Sequence, residues 1–297
     1  MSKHAAPFVI GCDGGGTGCR VAVADLQGHM LAQAAGGPAN AASAFDVMAA
    51  NVSAGLADVA LQLGLSMQDL MRGVAHFGLA GVMTPQDASR VAAAFPFAQI
   101  CVTEDRVVAV AGALGAADGV LIAIGTGTIV AARRGLQAKN VGGWGLKLSD
   151  QASGAWLGRG LLEHALLCHD GLEEHTDLTR AAFADFGDDP ARLVAFAARA
   201  FPADYARFAP QIIAAAKAGD AAGQMLMRRG AAYLIRALEA VDFAKGDALC
   251  LTGGVAPHYA LYLPVSAQDA IVPPQGSALD GALRLALQAA REMEGAP

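Results

Sequence analysis

A run of glycines between two apolar segments is the most constraining feature of this sequence. Asp13-Gly14-Gly15-Gly16-Thr17-Gly18 follows the apolar run 8–12 and precedes a second one over residues 19–24. A simple hairpin turn needs two residues and no aspartate at the end of the strand. The pattern therefore predicts a strand, a glycine turn and a second strand, with one carboxylate at the tip of the first strand.

This turn is a candidate phosphate site. Because glycine has no Cβ, Gly14, Gly15 and Gly16 leave their backbone N–H groups open to an anion. The Asp13 carboxylate suits Mg²⁺, which takes one or two protein carboxylates together with water and phosphate oxygens. The glycines are not followed by the Lys-Ser or Lys-Thr of a P-loop, nor by the helix of a dinucleotide site. A turn that only joins two strands remains the alternative at this point.

Composition limits the classes of protein that the chain can belong to. Its 297 residues suffice for two domains of ordinary size. No uncharged apolar stretch reaches the roughly 18 residues of a membrane span, and we expect no signal peptide in residues 1–7. Five scattered cysteines indicate reduced thiols and a cytoplasmic location. A net charge of −6 without a basic cluster argues against nucleic acid and favours a small-molecule partner.

The strand and helix patterns occur twice along the chain. The first half predicts strands over 8–13, 19–25, 30–35, 73–79 and 99–103, with helices over 44–63, 85–94 and from 106. The second half predicts strands over 120–124, 129–133, near 138, over 248–251 and over 270–272, with a helical middle over about 151–244 and a final helix from 277. We therefore expect an α/β fold of two related domains, 1–117 and 118–297, with ligands in the cleft between them. The final helix can pack back on the first domain.

Two further glycine turns occur in the second half. Gly125-Thr126-Gly127-Thr128 follows an apolar strand and adds hydroxyl groups to the backbone N–H groups, so it can bind phosphate oxygens. Thr252-Gly253-Gly254-Val255 follows another buried strand, and its bare backbone allows a base or a ribose to lie against it. Each turn could be structural when taken alone. Glycine turns at equivalent places in two halves favour a nucleotide site.

Asp105 follows a predicted strand at the edge where ligand sites of α/β sheets collect. It also stands at the start of a helix, so it can be a simple N-cap. The functional interpretation is a general base that accepts a proton from a hydroxyl group as that group attacks a phosphoryl group. Both interpretations remain open from the sequence.

Three other positions are candidate sugar contacts. Trp144 lies between Gly143 and Gly145 and can pack against a sugar ring or anchor a core. Asp150 can bind sugar hydroxyls or cap the helix that follows it. Asn40 ends a rigid turn, and its amide suits a hydroxyl or an acetamido group.

As a set, these motifs resemble the N-acetylglucosamine kinase and BadF/BadG ATPase family, within the superfamily of sugar kinases, actin and Hsp70. The resemblance covers nearly the whole chain and is carried by residues 13–17, 36–40, 104–105, 125–128, 142–145, 150–158, 252–255 and 273–278. It implies two ribonuclease H-like (actin-like ATPase) domains with ATP and a sugar in the cleft between them. A homodimer is also expected.

The resemblance also implies roles for individual residues. Asp105 would be the base, and Asp13 would hold Mg²⁺ through water. The residues expected to bind ATP are Gly14, Gly15, Gly16, Thr17, Thr126, Gly127, Ala216, Gly253 and Gly254. The residues expected to face the sugar are Asn40, Asp105, Gly143, Trp144, Gly145 and Asp150.

One departure concerns Gln151, which stands where relatives usually carry a glutamate. Its neutral side chain removes one negative charge near the sugar. The cysteine clusters of the zinc-containing kinases and repressors and of the dehydratase activators do not match this chain. We therefore expect an ATP-dependent kinase that converts N-acetylglucosamine to its 6-phosphate. The alternatives are a glucosamine kinase and a regulatory ATPase of the BadF/BadG type.

Overall fold

The structure is a computed structural model that describes residues 8–135 and 137–294. Residues 1–7, where we expect no signal peptide, lie outside the described residues. The chain divides into two compact units. The first comprises residues 1–117 and 274–297, and the second comprises residues 118–273.

Strands in the described residues fall close to the predicted positions. In chain order they are β1 (Val9–Gly14), β2 (Cys19–Ala24), β3 (Met30–Gly36), β4 (Val74–Leu79), β5 (Gln99–Glu104), β6 (Gly119–Ile124), β7 (Thr128–Arg134), β8 (Gln137–Gly142), β9 (Leu249–Thr252) and β10 (Ile271–Val272).

Helices in the described residues include several short ones that the sequence analysis missed or merged. In chain order they are α1 (Phe45–Leu63), α2 (Met67–Leu70), α3 (Pro85–Ala94), α4 (Asp105–Leu114), α5 (Gly154–His169), α6 (Asp177–Ala184), α7 (Pro190–Ala197), α8 (Pro202–Ala206), α9 (Ala209–Ala218), α10 (Ala221–Ala240), α11 (Val265–Gln268) and α12 (Ala278–Glu294). A 3-10 helix covers Ala256–Tyr262.

The first unit is built on a five-stranded mixed sheet in the order β3-β2-β1-β4-β5. Strands β1 to β3 pair antiparallel, whereas β4 pairs parallel with both β1 and β5. Asp13 lies opposite Gly78, and Gly78 lies opposite Thr103. The C-terminal ends of β1, β4 and β5 therefore share one edge, the edge at which ligands bind in open α/β sheets.

Helices cover both faces of this sheet. Apolar side chains of α1 and α3 pack on one face with Ile10 and Phe77, and α12 packs on the other face with Val9 and Val74. The approach of α4 to α12 depends on glycine, because a Cβ added to Gly281 would lie 1.9 Å from a backbone oxygen of α4. The closing helix is thus an integral part of the first unit.

The second unit repeats the arrangement with a sheet in the order β8-β7-β6-β9-β10. Strands β6 to β8 again pair antiparallel, and β9 pairs parallel with β6. Helices α5, α6, α9 and α10 supply most of the core packed against this sheet. The shared strand order is what an internal duplication produces, and the predicted α/β fold class is confirmed. Within the described residues, no helix is both long and apolar enough to cross a lipid bilayer.

Candidate active site

The first glycine turn combines one packed glycine with two open ones. A Cβ on Gly14 would lie 2.6 Å from a Leu79 side-chain carbon, so packing excludes a larger residue there. At Gly15 and Gly16 an added Cβ would meet nothing within 4 Å, and neither residue has a positive φ. The fold of the first unit therefore does not require glycine at these two positions, whereas a ligand that approaches the backbone would require it.

Asp13 forms an ion pair that the sequence analysis missed. Arg20 lies directly opposite Asp13 on β2, and its guanidinium nitrogen is 2.5 Å from Asp13 Oδ2. The strand register could have predicted this pair, because Arg20 faces Asp13 across the turn. Asp13 Oδ1 remains to bind a magnesium-bound water, so the donor set fits Mg²⁺ held through water. The pair also places a cation beside the candidate phosphate turn.

Asp105 begins helix α4 but is not its N-cap. Glu104 occupies that position without a side-chain cap hydrogen bond, and it forms an ion pair with Arg106. The N-cap interpretation of Asp105 is therefore wrong. Burial raises the pKa of the Asp105 carboxyl, and the charges of Asp13 and Glu104 act in the same direction. The backbone N–H and the charge of Arg106 oppose this rise. A partly desolvated carboxylate of raised pKa is a suitable proton acceptor.

Asn40 lies beside the first turn. The N–H of Ala39 donates to the Gly15 carbonyl over 2.8 Å, which fixes this segment against the turn. Asn40 Oδ1 accepts the backbone N–H groups of Ala42 and Ser43, each at 3.0 Å. Its Nδ2 group therefore remains to donate to a ligand.

The second and third turns are joined in the second unit. The N–H of Val255 donates to Ile124 O over 3.0 Å, and the N–H of Gly154 donates to Gly125 O over 2.8 Å. Helix α5 therefore begins against the second turn. An added Cβ would meet nothing within 4 Å at Gly125 or Gly254, and neither has a positive φ.

Both turns contribute to one pocket of about 520 Å³ in the second unit. Thr126 and Gly254 line it, together with one face of α9 that includes Pro210, Ile213 and Lys217. Two other predicted ATP-binding residues, Gly253 and Ala216, do not line this pocket. Gly253 has a φ of 85°, and a Cβ added there would lie 2.3 Å from Ile124 O, so the turn itself requires glycine at this position. Ala216 is 4% exposed and is not a lining residue, whereas its neighbour Lys217 is.

The predicted sugar loop is also in the second unit. Gly142, Gly143 and Gly145 have φ values of 84°, 78° and 83°, so the backbone itself requires glycine there. Trp144 is 59% exposed, which rules out the core-anchor interpretation. The loop thus presents an aromatic face to its surroundings.

Asp150 is buried and does not cap helix α5, whose N-cap is Ser153. Burial raises the pKa of its carboxyl, while the backbone N–H groups of Thr128 and Gly145 lower it. These contacts link the second glycine turn to the Trp144 loop. The structure therefore brings Gly127, Gly145 and Asp150 together.

Comparison with known proteins agrees with this arrangement. The sequence profile of the BadF/BadG/BcrA/BcrD ATPase family matches residues 10–277. A glucosamine kinase of Vibrio cholerae serotype O1 is 34% identical over 280 residues, which cover 94% of this chain and 95% of that protein. A Chromobacterium violaceum protein, provisionally named an N-acetylglucosamine kinase, has a crystal structure with a TM-score of 0.86 and 32% identity over 95% of this chain and 99% of that one. A glucokinase of the ROK family from Streptomyces griseus, solved with glucose and AMPPNP, shares the fold, with a TM-score of 0.57 and 17% identity over 96% of this chain and 99% of that one.

Proposed function

The chain belongs to the BadF/BadG/BcrA/BcrD ATPase family, as its motifs indicated, and we propose that it is an ATP-dependent kinase that phosphorylates a hydroxyl group of an amino sugar. The observation that carries the proposal is the open glycine backbone of the turns. Gly15, Gly16, Gly125 and Gly254 have no positive φ and no neighbour that a Cβ would meet. Bare backbone with open space in front of it is what a bound nucleotide needs.

The second unit supplies the nucleotide pocket. Thr126 and the start of helix α5 offer polar groups at one end, and Pro210, Ile213 and Val255 form apolar walls. A largely apolar pocket with a few polar groups suits a nucleoside with its phosphates. When bound, ATP supplies the phosphoryl group, and Mg²⁺ offsets the negative charge of the phosphates.

The first unit supplies the acid–base chemistry. In the proposed reaction the Asp105 carboxylate accepts the proton of the sugar hydroxyl as its oxygen attacks the phosphoryl group. The Asp13 carboxylate would hold Mg²⁺ through water, and Gly14, Gly15, Gly16 and Thr17 would receive phosphate oxygens. Arg20 orients the Asp13 carboxylate through their ion pair.

We infer that N-acetylglucosamine is the preferred sugar. The Nδ2 group of Asn40 can donate to the acetamido oxygen, since Oδ1 is already engaged in its turn. Gln151 adds no charge, and the Asp150 carboxylate is occupied by backbone N–H groups. In the second unit, the exposed face of Trp144, with Gly143 and Gly145, offers an apolar surface. An uncharged acetamido group fits such surroundings better than an ammonium group does.

Glucosamine is the second candidate. The Vibrio cholerae relative is a glucosamine kinase, and it aligns with nearly the whole chain. A free amine is protonated near neutral pH, and the carboxylates of Asp105 and Asp150 attract a cation. Glucosamine is therefore the alternative substrate that the experiment must distinguish from N-acetylglucosamine.

The test is an ADP-release assay across amino sugars, with a sugar-free control. We expect release that depends on both Mg²⁺ and the sugar, with kcat/KM highest for N-acetylglucosamine. A higher kcat/KM for glucosamine than for N-acetylglucosamine would contradict the proposed substrate but support the proposed kinase activity. ADP release that is the same with and without every sugar would contradict the kinase proposal and favour a regulatory ATPase.

A further inference from the structure

A lysine and a histidine in the proposed nucleotide pocket form a hydrogen-bonded pair. The polar groups of this pair that remain for a ligand are all hydrogen-bond donors. Lys217 Nζ lies 3.2 Å from His258 Nδ1, and both residues line the pocket. Because an ammonium group only donates, Nδ1 accepts and the ring proton is carried by Nε2. Burial and the nearby Lys217 charge both lower the pKa of His258, which favours this neutral ring.

The pair lies away from the phosphate turn. Helix α9 begins at Ala209, and a Cβ on Gly154, next to the second turn, would lie 3.4 Å from the Ala209 Cβ. Lys217 is eight residues further along this helix, which corresponds to about 12 Å at 1.5 Å per residue. The Lys217 backbone therefore lies about two helical turns beyond the end of α9 that meets the phosphate turn. A nucleotide whose phosphates are held at Thr126 can extend its base along α9 toward the pair.

The pocket between these two ends suits a flat ring. Pro210, Ile213 and Ala214 of α9 line it, and so do Gly254 and Val255. Such apolar walls hold a base without distinguishing one purine from another. Selection among purines then depends on the polar groups at the end of the pocket.

We propose that Lys217 and His258 bind the N7 and 6-position edge of the purine, so that the enzyme uses 6-oxo purine nucleotides at least as well as ATP. Guanine and hypoxanthine present two acceptors there, N7 and O6, whereas adenine presents the N7 acceptor and an N6 amino donor. Two donors match the first pattern and conflict with the second. This inference rests on the proposed nucleotide site, and it adds the base preference of that site.

The experiment compares ITP with ATP, which differ at the purine 6-position. For the wild type we expect kcat/KM for ITP to equal or exceed that for ATP. Lys217→Gln should reverse the preference, because a glutamine amide can accept from N6 and donate to N7. The ratio of ATP to ITP should rise about 5- to 100-fold, the usual range for one good base contact. Lys245→Gln, at an exposed lysine that does not line the pocket, is the matched control and should leave the ratio unchanged.

Binding of ADP and IDP by titration calorimetry, without sugar, separates this inference from the proposed function. IDP binding at least as tight as ADP binding, reversed by Lys217→Gln, supports the inference even where no sugar is phosphorylated. A kcat/KM for ITP that is below that for ATP in the wild type, or a ratio that Lys217→Gln does not move, overturns the inference and leaves the kinase proposal intact. If neither nucleotide binds the wild type, the proposed function fails and the inference fails with it.

Discussion

Burial of His76 should make the stability of the protein depend on pH between about pH 6.5 and about pH 4. This residue lies on β4 and is 5% exposed, and its Nε2 is 3.1 Å from Thr103 Oγ1. Burial lowers its pKa from 6.5 to about 4, because the charged ring loses its hydration. The ring is therefore neutral in the folded protein at pH values where an exposed histidine is protonated.

The sign follows from proton binding. Between the two pKa values the unfolded chain binds a proton at His76 and the folded protein does not, so stability falls as the pH falls. A change from about pH 7.5 to about pH 5 should cost about 2 kcal/mol of unfolding free energy. Below the folded-state pKa the loss levels off at about 3 kcal/mol.

The perturbation is His76→Gln, which removes the titration and keeps an amide hydrogen for Thr103 Oγ1. Urea unfolding, followed by circular dichroism at both pH values, measures the free energy of unfolding. The wild type should lose about 2 kcal/mol more than the variant between the two pH values. His169→Gln, at an exposed histidine of α5, is the control and should behave as the wild type does. An equal loss in the wild type and in His76→Gln would show that His76 does not titrate as its burial requires.

Four other substitutions test the proposed base, the open glycine turn, the packing of the first unit and the charge near the sugar. Asp105→Asn should lower kcat about 10²–10⁴-fold in steady-state assays, and a kcat near that of the wild type would show that Asp105 is not the base. In the wild type, kcat should fall on the acid side at a higher pH than an ordinary aspartate would give, since burial raises the Asp105 pKa. Gly16→Ala should leave the melting temperature unchanged but raise KM for ATP, because its added Cβ meets open space where phosphate would bind. Gly112→Ala should lower the free energy of unfolding by about 1–3 kcal/mol, because its added Cβ would lie 1.9 Å from Ser277 O. Gln151→Glu should lower the ratio of kcat/KM for N-acetylglucosamine to kcat/KM for glucosamine. An unchanged ratio would show that the charge at position 151 does not affect the choice of sugar.

Local patterns in the sequence were sufficient for most of the fold. Helix α3 was predicted with its observed bounds, because Pro85 favours the first turn of a helix and Thr84 with Asp87 forms a capping box. The first two strands of each sheet were predicted because apolar residues flank a glycine turn. The short helix α2 was missed, since a single turn leaves no periodicity to detect.

The candidate site divides in the same way between local and long-range information. The sequence alone determined the glycine turns and the carboxylates of Asp13 and Asp105, because their residue types and positions at strand ends already indicate phosphate chemistry. Only the tertiary structure showed that Glu104 holds the N-cap position, that His76 is buried, and that Lys217 rather than Ala216 lines the pocket. The physical reason is that burial and hydrogen-bond partners come from segments distant in the chain: Lys217 meets His258 across 41 residues, and no local pattern encodes that contact.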